Sequence, residues 1–155
     1  MKVLEVMTAK VISIEKDNTI LDAMKVMTDK DVGFLIIEEN KKALGVITDR
    51  DIIISLSKEI SSNTNISKIM KKYVITVNQN EDISKASDIM GYMQVRRLVV
   101  TNDDGEIVGV LSLTDLAMNT LTEEIALETM IEISYTYPTK NMESDNIFQT
   151  NAYIF

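Results

Sequence analysis

The sequence predicts an α+β fold built from two copies of one β-α-β-β-α unit. Residues 11–14 match residues 74–77, and residues 35–37 match residues 98–100, both at an offset of 63 positions. Each copy alternates short apolar runs, typical of strands, with apolar residues at helical spacing. A copy of about 60 residues buries too little surface to be comfortably stable alone. We therefore expect the two copies to pack together as one domain.

Composition excludes several functional classes. The chain of 155 residues carries a net charge of -8, which disfavours binding to nucleic acid. It contains no His and no Cys, so the commonest neutral-pH base, the thiol nucleophile and the usual zinc ligands are missing. No apolar run is long enough to span a bilayer, and the N-terminus lacks a signal-peptide core. We expect a cytoplasmic protein that is not an enzyme, requires no cofactor or metal, and does not bind membranes.

The elements of the first copy follow from local patterns. The β-rich run at residues 11–14 predicts a strand, and Thr19 offers a cap for a helix from Ile20 to about Thr28. A continuous apolar run from Gly33 to Ile37 indicates a strand buried on both faces. A second strand at residues 43–47 and a helix over residues 49–59 complete the copy.

The second copy repeats this order after a polar linker at residues 61–65. We expect a strand near Val74, a helix over residues 83–93, strands at residues 98–100 and 107–111, and a helix from Leu113. The two repeats are thus assigned to residues 1–60 and 66–120. Residues 121–155 form a C-terminal helix and tail.

The tail differs in composition from the repeats. Helical periodicity continues through Leu121 to Ile131, and Pro138 ends it. Five of the eight aromatic residues lie from Tyr135 onward, whereas disordered tails are poor in aromatics. The tail is expected to dock on a surface, which is either a partner subunit or its own domain.

One motif occurs twice with the same chemistry. Gly-x-x-[Ser/Thr]-x-x-Asp spans residues 45–51 and again residues 109–115, between a strand and a helix start. An ionised Asp can accept both hydroxyls of a ribose, and a Ser or Thr hydroxyl beside free helix N–H groups suits a phosphate. The Gly allows a ligand or a neighbouring strand to approach closely. The candidate binding residues are Thr48, Asp51, Ser112 and Asp115, with the peptide groups of Val11, Ile12, Val74 and Ile75 available to a purine edge.

The same motif has a simpler explanation. Thr48-x-x-Asp51 and Ser112-x-x-Asp115 both fit the capping box, which closes a helix start without any ligand. Such a cap is worth about 1 kcal/mol. The duplication after a strand and a Gly favours the binding interpretation.

The chain resembles a tandem pair of CBS domains in three features. These are the two Gly-x-x-[Ser/Thr]-x-x-Asp motifs, the opening Val6-Met7-Thr8, and the run Arg96-Arg97-Leu98-Val99-Val100. The resemblance covers about Lys2 to Met118. It implies a pseudo-twofold module with two clefts, a disc-like homodimer, and binding of adenosine-containing ligands (AMP, ADP, ATP, S-adenosylmethionine or NAD).

The family resemblance implies ligand-binding roles for residues in both copies. The resemblance implies that Asp51 and Asp115 bind ribose, and that Thr48 and Ser112 contact ribose or phosphate. It also implies that the backbone near Ile12 and Ile75 reads the base. Arg96 and Arg97 lie where the family places phosphate ligands, whereas the first copy departs from this pattern with Gly33 and Phe34. Arg50 either helps to bind phosphate or is solvated, and we expect the pair Lys71-Lys72 to be solvated.

Two functions remain at this point. The first is a regulatory module that senses an adenine nucleotide or a related ligand and signals to an effector protein. The second is a ligand-free structural module that acts through dimerisation and its C-terminal tail.

Overall fold

A computed structural model describes residues 1–135. The strands are β1 (Ser13–Glu15), β2 (Phe34–Glu39), β3 (Lys42–Thr48), β4 (Thr76–Asn78), β5 (Arg97–Thr101) and β6 (Ile107–Ser112). The α-helices are α1 (Ile20–Lys30), α2 (Asp49–Ser57), α3 (Ile83–Met93), α4 (Leu113–Met118) and α5 (Glu123–Ser134). Short 3₁₀ helices span Val3–Glu5 and Ile66–Lys68. The predicted α+β class and the repeated β-α-β-β-α order are confirmed.

Each repeat forms its own three-stranded sheet, with strand order β1-β2-β3 in one and β4-β5-β6 in the other. The first strand of each sheet is parallel to the second, and the second is antiparallel to the third. Phe34 lies opposite Thr48, and Arg97 lies opposite Ser112. The start of the second strand and the end of the third therefore share one end of the sheet, from which α2 or α4 begins. We call this the motif end.

Several element boundaries differ from the prediction. The first strands begin two residues later than expected, at Ser13 and Thr76, although the carbonyl of Ile12 still accepts the Ile36 N–H (3.4 Å). Helix α1 extends to Lys30, where Asp31 adopts a left-handed conformation with φ 52°. The expected continuous helix after Leu113 is interrupted, because Asn119 is extended and the Thr122 hydroxyl donates to the Leu116 carbonyl (2.7 Å).

The two repeats exchange their opening segments. Val3 is fully buried in the core of the second repeat, and its N–H donates to the Glu81 carbonyl (3.0 Å). Conversely, Ile66 is fully buried in the core of the first repeat, where its N–H donates to the Asn18 carbonyl (2.9 Å). Neither core is therefore complete without residues that precede the other repeat in the chain.

The exchange continues along the outer edges of β3 and β6. Lys71 forms a reciprocal pair of backbone hydrogen bonds with Val46, each 2.9 Å long, and Thr8 forms the equivalent pair with Val110 (2.9 and 3.0 Å). A Cβ atom on Gly45 would lie 2.8 Å from the Lys71 carbonyl oxygen. One on Gly109 would lie 2.9 Å from that of Thr8. The glycines of the repeated motif thus admit a neighbouring strand.

Helix α5 folds back onto its own repeat, where it packs against α3 and α4. The hydroxyls of Ser87 on α3 and Thr129 on α5 are 2.6 Å apart in a buried hydrogen bond, and Ile133 is buried in the same core. The helical part of the tail therefore covers its own domain. The other tail aromatics that we singled out lie outside the described residues: Tyr137, Phe148, Tyr153 and Phe155.

Candidate functional site

The repeated motif forms a capping box at the start of α2. The Asp51 Oδ2 atom accepts the backbone N–H of Thr48 (2.9 Å) and its hydroxyl (2.7 Å). The Asp51 N–H in turn donates to the Thr48 hydroxyl oxygen (3.2 Å). This reciprocal arrangement satisfies donors that would otherwise be unpaired at a helix N-terminus.

The same arrangement is found at the start of α4. The Asp115 Oδ2 atom accepts the Ser112 N–H (2.7 Å) and the Ser112 hydroxyl, and the Asp115 N–H donates back to that hydroxyl (3.1 Å). The capping interpretation is therefore confirmed for both copies. It leaves one oxygen of each carboxylate, Oδ1, outside the cap.

The two remaining carboxylate oxygens have different partners. The Asp51 Oδ1 atom lies 3.1 Å from the Lys71 ammonium, whereas the Asp115 Oδ1 atom accepts the hydroxyl of Thr8 (3.0 Å). Lys71 and Thr8 occupy equivalent positions of the two copies, 63 residues apart (71 − 8). The Lys71 side chain is half exposed (51%), in line with the expected solvation, but its ammonium also contacts the motif carboxylate and its backbone pairs with β3.

The exchanged segments connect each motif Asp to the opposite sheet. Residues 71–75 run from Asp51, in the first repeat, to the second sheet, where the Ile75 carbonyl accepts the Val99 N–H (3.1 Å). Residues 8–12 run in the same manner from Asp115 to the first sheet. Each Asp is thus linked to base-reading candidates of the other repeat: Val74 and Ile75 for Asp51, and Val11 and Ile12 for Asp115.

Arg97 also crosses between the repeats. Its guanidinium carbon lies 5.7 Å from the centre of the Phe34 ring, at a distance typical of a cation–π contact. Phe34 is the register partner of Thr48, so the charge of Arg97 lies at the motif end of the first sheet.

We define the Asp51 cleft by Thr48, Asp51, Lys71, Val74, Ile75, Arg96 and Arg97. The Asp115 cleft comprises Ser112, Asp115, Thr8, Val11 and Ile12.

Arg96 and Gly33 occupy equivalent positions of the two copies. One position carries a positive side chain, and the other lies beside an acidic one. The Nε atom of Arg96 is buried and finds no hydrogen-bond acceptor within residues 1–135. A Cβ atom on Gly33 would lie 2.8 Å from a carboxylate oxygen of Asp49. A side chain at position 33 would therefore have to displace the Asp49 carboxylate.

An open pocket of about 570 Å³ adjoins the Asp51 cleft. Its volume falls within the usual range for small-molecule sites. It is lined by Tyr73, Val74, Ile75, Thr76, Lys85, Asp88, Ile89, Tyr92 and Met93. Val74 and Ile75 therefore line a pocket, whereas the motif residues of both copies, Thr48, Asp51, Ser112 and Asp115, do not.

The carbonyls of Ile12 and Ile75 are already used within the sheets, where they accept N–H groups of β2 and β5. Because successive peptide groups of a strand point in opposite directions, the adjacent groups of Val11 and Val74 face the outer edge.

Arg50 lies between the cap and Asp51 on α2, and its backbone N–H donates to the Asp49 Oδ1 atom (2.7 Å). Two roles were considered for its guanidinium, phosphate contact and solvation, and both remain predictions.

Two features of the site escaped sequence reasoning. Thr8 was noted only within the opening Val6-Met7-Thr8 and Lys71 only within a lysine pair, and neither was predicted to contact a motif carboxylate. Tyr73 and Tyr92 lie at the pocket as exposed aromatics (66% and 88%). The one available signal was the alignment of Val6-Met7 with Ile69-Met70, which places Thr8 and Lys71 in register directly after it.

Within residues 1–135, acidic side chains form no group of three or more that could hold a metal ion. In the same part of the chain, no helix has the length and apolar character needed to cross a bilayer.

Two βαββα repeats closed by exchanged segments, with a capped motif at each of two helix starts, define a tandem-repeat module. The chain belongs to the CBS domain family, whose model matches residues 3–58 and 66–121.

Relatives share this organisation. CBS domain-containing protein YhcV of Bacillus subtilis is 31% identical over 132 residues, which are 84% of this chain and 94% of that protein. The inosine-5'-monophosphate dehydrogenase of Nitrosopumilus maritimus is 31% identical over 109 residues, but the match covers 70% of this chain and only 22% of that enzyme. CBS domain pairs thus also occur inside enzymes.

Solved structures confirm the fold. CBS domain protein PAE2072 from Pyrobaculum aerophilum, solved in complex with AMP, gives a TM-score of 0.73 at 25% identity and covers 84% of this chain and 99% of its own. The CBS domain pair of protein MJ0100, in complex with 5-methylthioadenosine and S-adenosyl-L-methionine, gives 0.67 at 24% identity and covers 76% and 93%. The latter likeness concerns the fold.

Proposed function

We propose that this chain is a regulatory module that binds an adenosine-containing ligand in the Asp51 cleft and transmits its occupancy to an effector protein. One observation carries the proposal: Arg97 of the second repeat reaches Phe34, beside Thr48 and Asp51 of the first. This contact supports a cleft in which the diol acceptor Asp51, the arginines and the base-reading segment act on one ligand. The AMP complex of PAE2072 supports the same ligand class.

Each part of the ligand has a partner in this proposal. The Asp51 Oδ1 atom has a second lone pair for a ribose hydroxyl while it keeps Lys71. Arg97 meets the phosphate, and the buried Nε of Arg96 gains an acceptor there. The purine enters the pocket beside Val74 and Ile75, against the rings of Tyr73 and Tyr92.

Calorimetric titration with adenosine, AMP, ADP, ATP, S-adenosylmethionine and NAD tests the proposal. At least one compound is expected to bind with micromolar to millimolar affinity. At 100 times its dissociation constant it should add about 2.7 kcal/mol to the free energy of unfolding, which a thermal-shift assay resolves. Arg97→Ala is expected to weaken the phosphorylated compounds much more than adenosine. Absence of heat for the whole panel would reject ligand sensing.

A second candidate function is a structural module that acts through dimerisation. Its support is that both motif carboxylates are already satisfied by caps and by Lys71 or Thr8. In addition, large apolar side chains are exposed on the helices, a property rarely found over wide areas of a monomer. They include Ile53 (66%), Met118 (81%) and Leu127 (56%), and Leu121 (76%) lies in the turn between α4 and α5.

We infer a homodimer built on these helices, since a twofold contact is the commonest way to close a homo-oligomer. Light scattering is expected to give a dimeric mass for the full chain. A chain ending at Ser134 tests the tail, because a dimer that survives the truncation is held by the helices alone. A monomeric mass for the full chain at tens of micromolar would contradict the homodimer.

A further inference from the structure

The ion pair between Lys71 and Asp51 distinguishes the two clefts. At the equivalent place in the Asp115 cleft stands Thr8, which offers a hydroxyl and no charge. Lys71 is held from two sides, because its backbone pairs with Val46 and its ammonium lies 3.1 Å from the Asp51 Oδ1 atom. The side chain of Asp51 is only 16% exposed, so water screens its charge incompletely.

We propose that Lys71 is a specificity-determining residue that makes the Asp51 cleft select phosphorylated adenosine compounds over adenosine itself. The inference rests on the proposed function, because it concerns the ligand preference of the same cleft. Lys71 is not part of the repeated Gly-x-x-[Ser/Thr]-x-x-Asp motif, and its role follows from its contact with the motif carboxylate.

The charge balance of the cleft explains the role. A carboxylate suited to a ribose diol also repels the phosphate attached to that ribose. In the Asp51 cleft, Lys71 neutralises Asp51, so the positive charge of Arg97 beside Phe34 can meet a phosphate without opposition from that carboxylate. Without Lys71 the carboxylate is unpaired, and a phosphate attached to a ribose bound at Asp51 falls within the Debye length of about 10 Å at 0.1 M salt.

The Asp115 cleft provides the internal comparison. There, Thr8 contacts Asp115 through a hydroxyl and adds no charge, so nothing on the equivalent segment neutralises the Asp115 carboxylate beside a bound ribose. A phosphorylated ligand is thus directed to the Asp51 cleft, where Lys71 matters.

The test replaces Lys71 with the residue that the other copy carries. Lys71→Thr should weaken AMP by roughly fivefold to tenfold, the effect of one unit charge at a few ångströms in a partly solvated cleft, and should change adenosine by less than about twofold. Lys71→Arg keeps the charge and should keep AMP affinity within about twofold. Lys72→Thr, the same change one residue away on an exposed side chain, is the matched control and should change neither.

Titration calorimetry of the full chain with AMP and adenosine, at about 0.05 M and about 0.5 M salt, separates the outcomes. A loss of AMP affinity that shrinks at high salt supports the role of Lys71. Equal losses for AMP and adenosine, or equal effects of Lys71→Thr and Lys72→Thr, would overturn it while leaving ligand sensing intact. If the unmodified chain binds neither compound, the proposed function fails, and the specificity role fails with it.

Discussion

Replacing Gly45 with Ala tests why the repeated motif begins with glycine. The new Cβ atom would lie 2.7 Å from the Met70 sulfur and 2.8 Å from the Lys71 carbonyl oxygen. The thioether can rotate away, but the carbonyl is held by the Val46 N–H at 2.9 Å. The segment that carries Lys71 must therefore move away from β3.

The expected cost follows from these contacts. Two backbone hydrogen bonds between Val46 and Lys71 weaken, each worth about 1 kcal/mol, and overpacking adds about 1–3 kcal/mol. Because the losses overlap, Gly45→Ala is expected to lower the free energy of unfolding by about 2–4 kcal/mol. Typical domains have about 5–15 kcal/mol, so the variant should remain measurable.

Equilibrium unfolding in urea measures this cost as a lower midpoint with an unchanged slope. Gly105→Asn is the control, because Gly105 has φ 74°, a Cβ there meets nothing within 4 Å, and Asn tolerates the left-handed region. It should cost less than about 1 kcal/mol. Gly45→Ala with unchanged stability but lost ligand binding would refute the strand-approach explanation and show that the glycine serves the ligand.

Three further predictions concern the packing and the caps. Ile66→Ala should lower the free energy of unfolding by about 2–5 kcal/mol, because this fully buried residue completes the first core, and Ile66→Leu should cost less than about 1.5 kcal/mol in the same urea assay. Ser87→Ala should cost about 1 kcal/mol, since it removes the partner of a buried hydroxyl on α5; a wild-type midpoint would show that this hydrogen bond adds nothing. The backbone N–H and hydroxyl of Thr19 lower the pKa of Asp22, so its carboxylate stabilises the fold above its ordinary pKa and loses this effect as the pH falls through the lowered value. Asp22→Asn should therefore be destabilising near neutral pH and closer to the wild type in acid, as urea midpoints across the pH range would report.

The sequence predicted the parts of the fold that depend on local patterns. Apolar runs located β2, β3, β5 and β6, and the capping residues located the helix starts at Ile20, Asp49 and Leu113. The break between α4 and α5 was missed, because neither Gly nor Pro marks it and Leu121 keeps the helical spacing although it is 76% exposed.

Only the residues of the repeated motif were predictable from the sequence. The motif identified both carboxylates and both hydroxyls, because these residues recur at a fixed spacing. Lys71 and Thr8 reach these carboxylates through strand pairing between segments distant in the chain, and the partner of Thr8 lies 107 residues away at Asp115. Such pairing leaves no periodic trace, so only a three-dimensional arrangement reveals that the two carboxylates have different neighbours.

The exchanged segments also set an order of events during synthesis. Val3 leaves the ribosome long before the other buried residues of the second core, which run from Val77 to Ile133. The first core, in contrast, can close once Ile66 has emerged. Protease protection of stalled nascent chains of increasing length should therefore appear first for the first repeat, while the segment around Val3 stays accessible. Once the second repeat has been made, that segment lies beside Val110 and covers the outer edge of β6, so it shields this strand from pairing with other molecules.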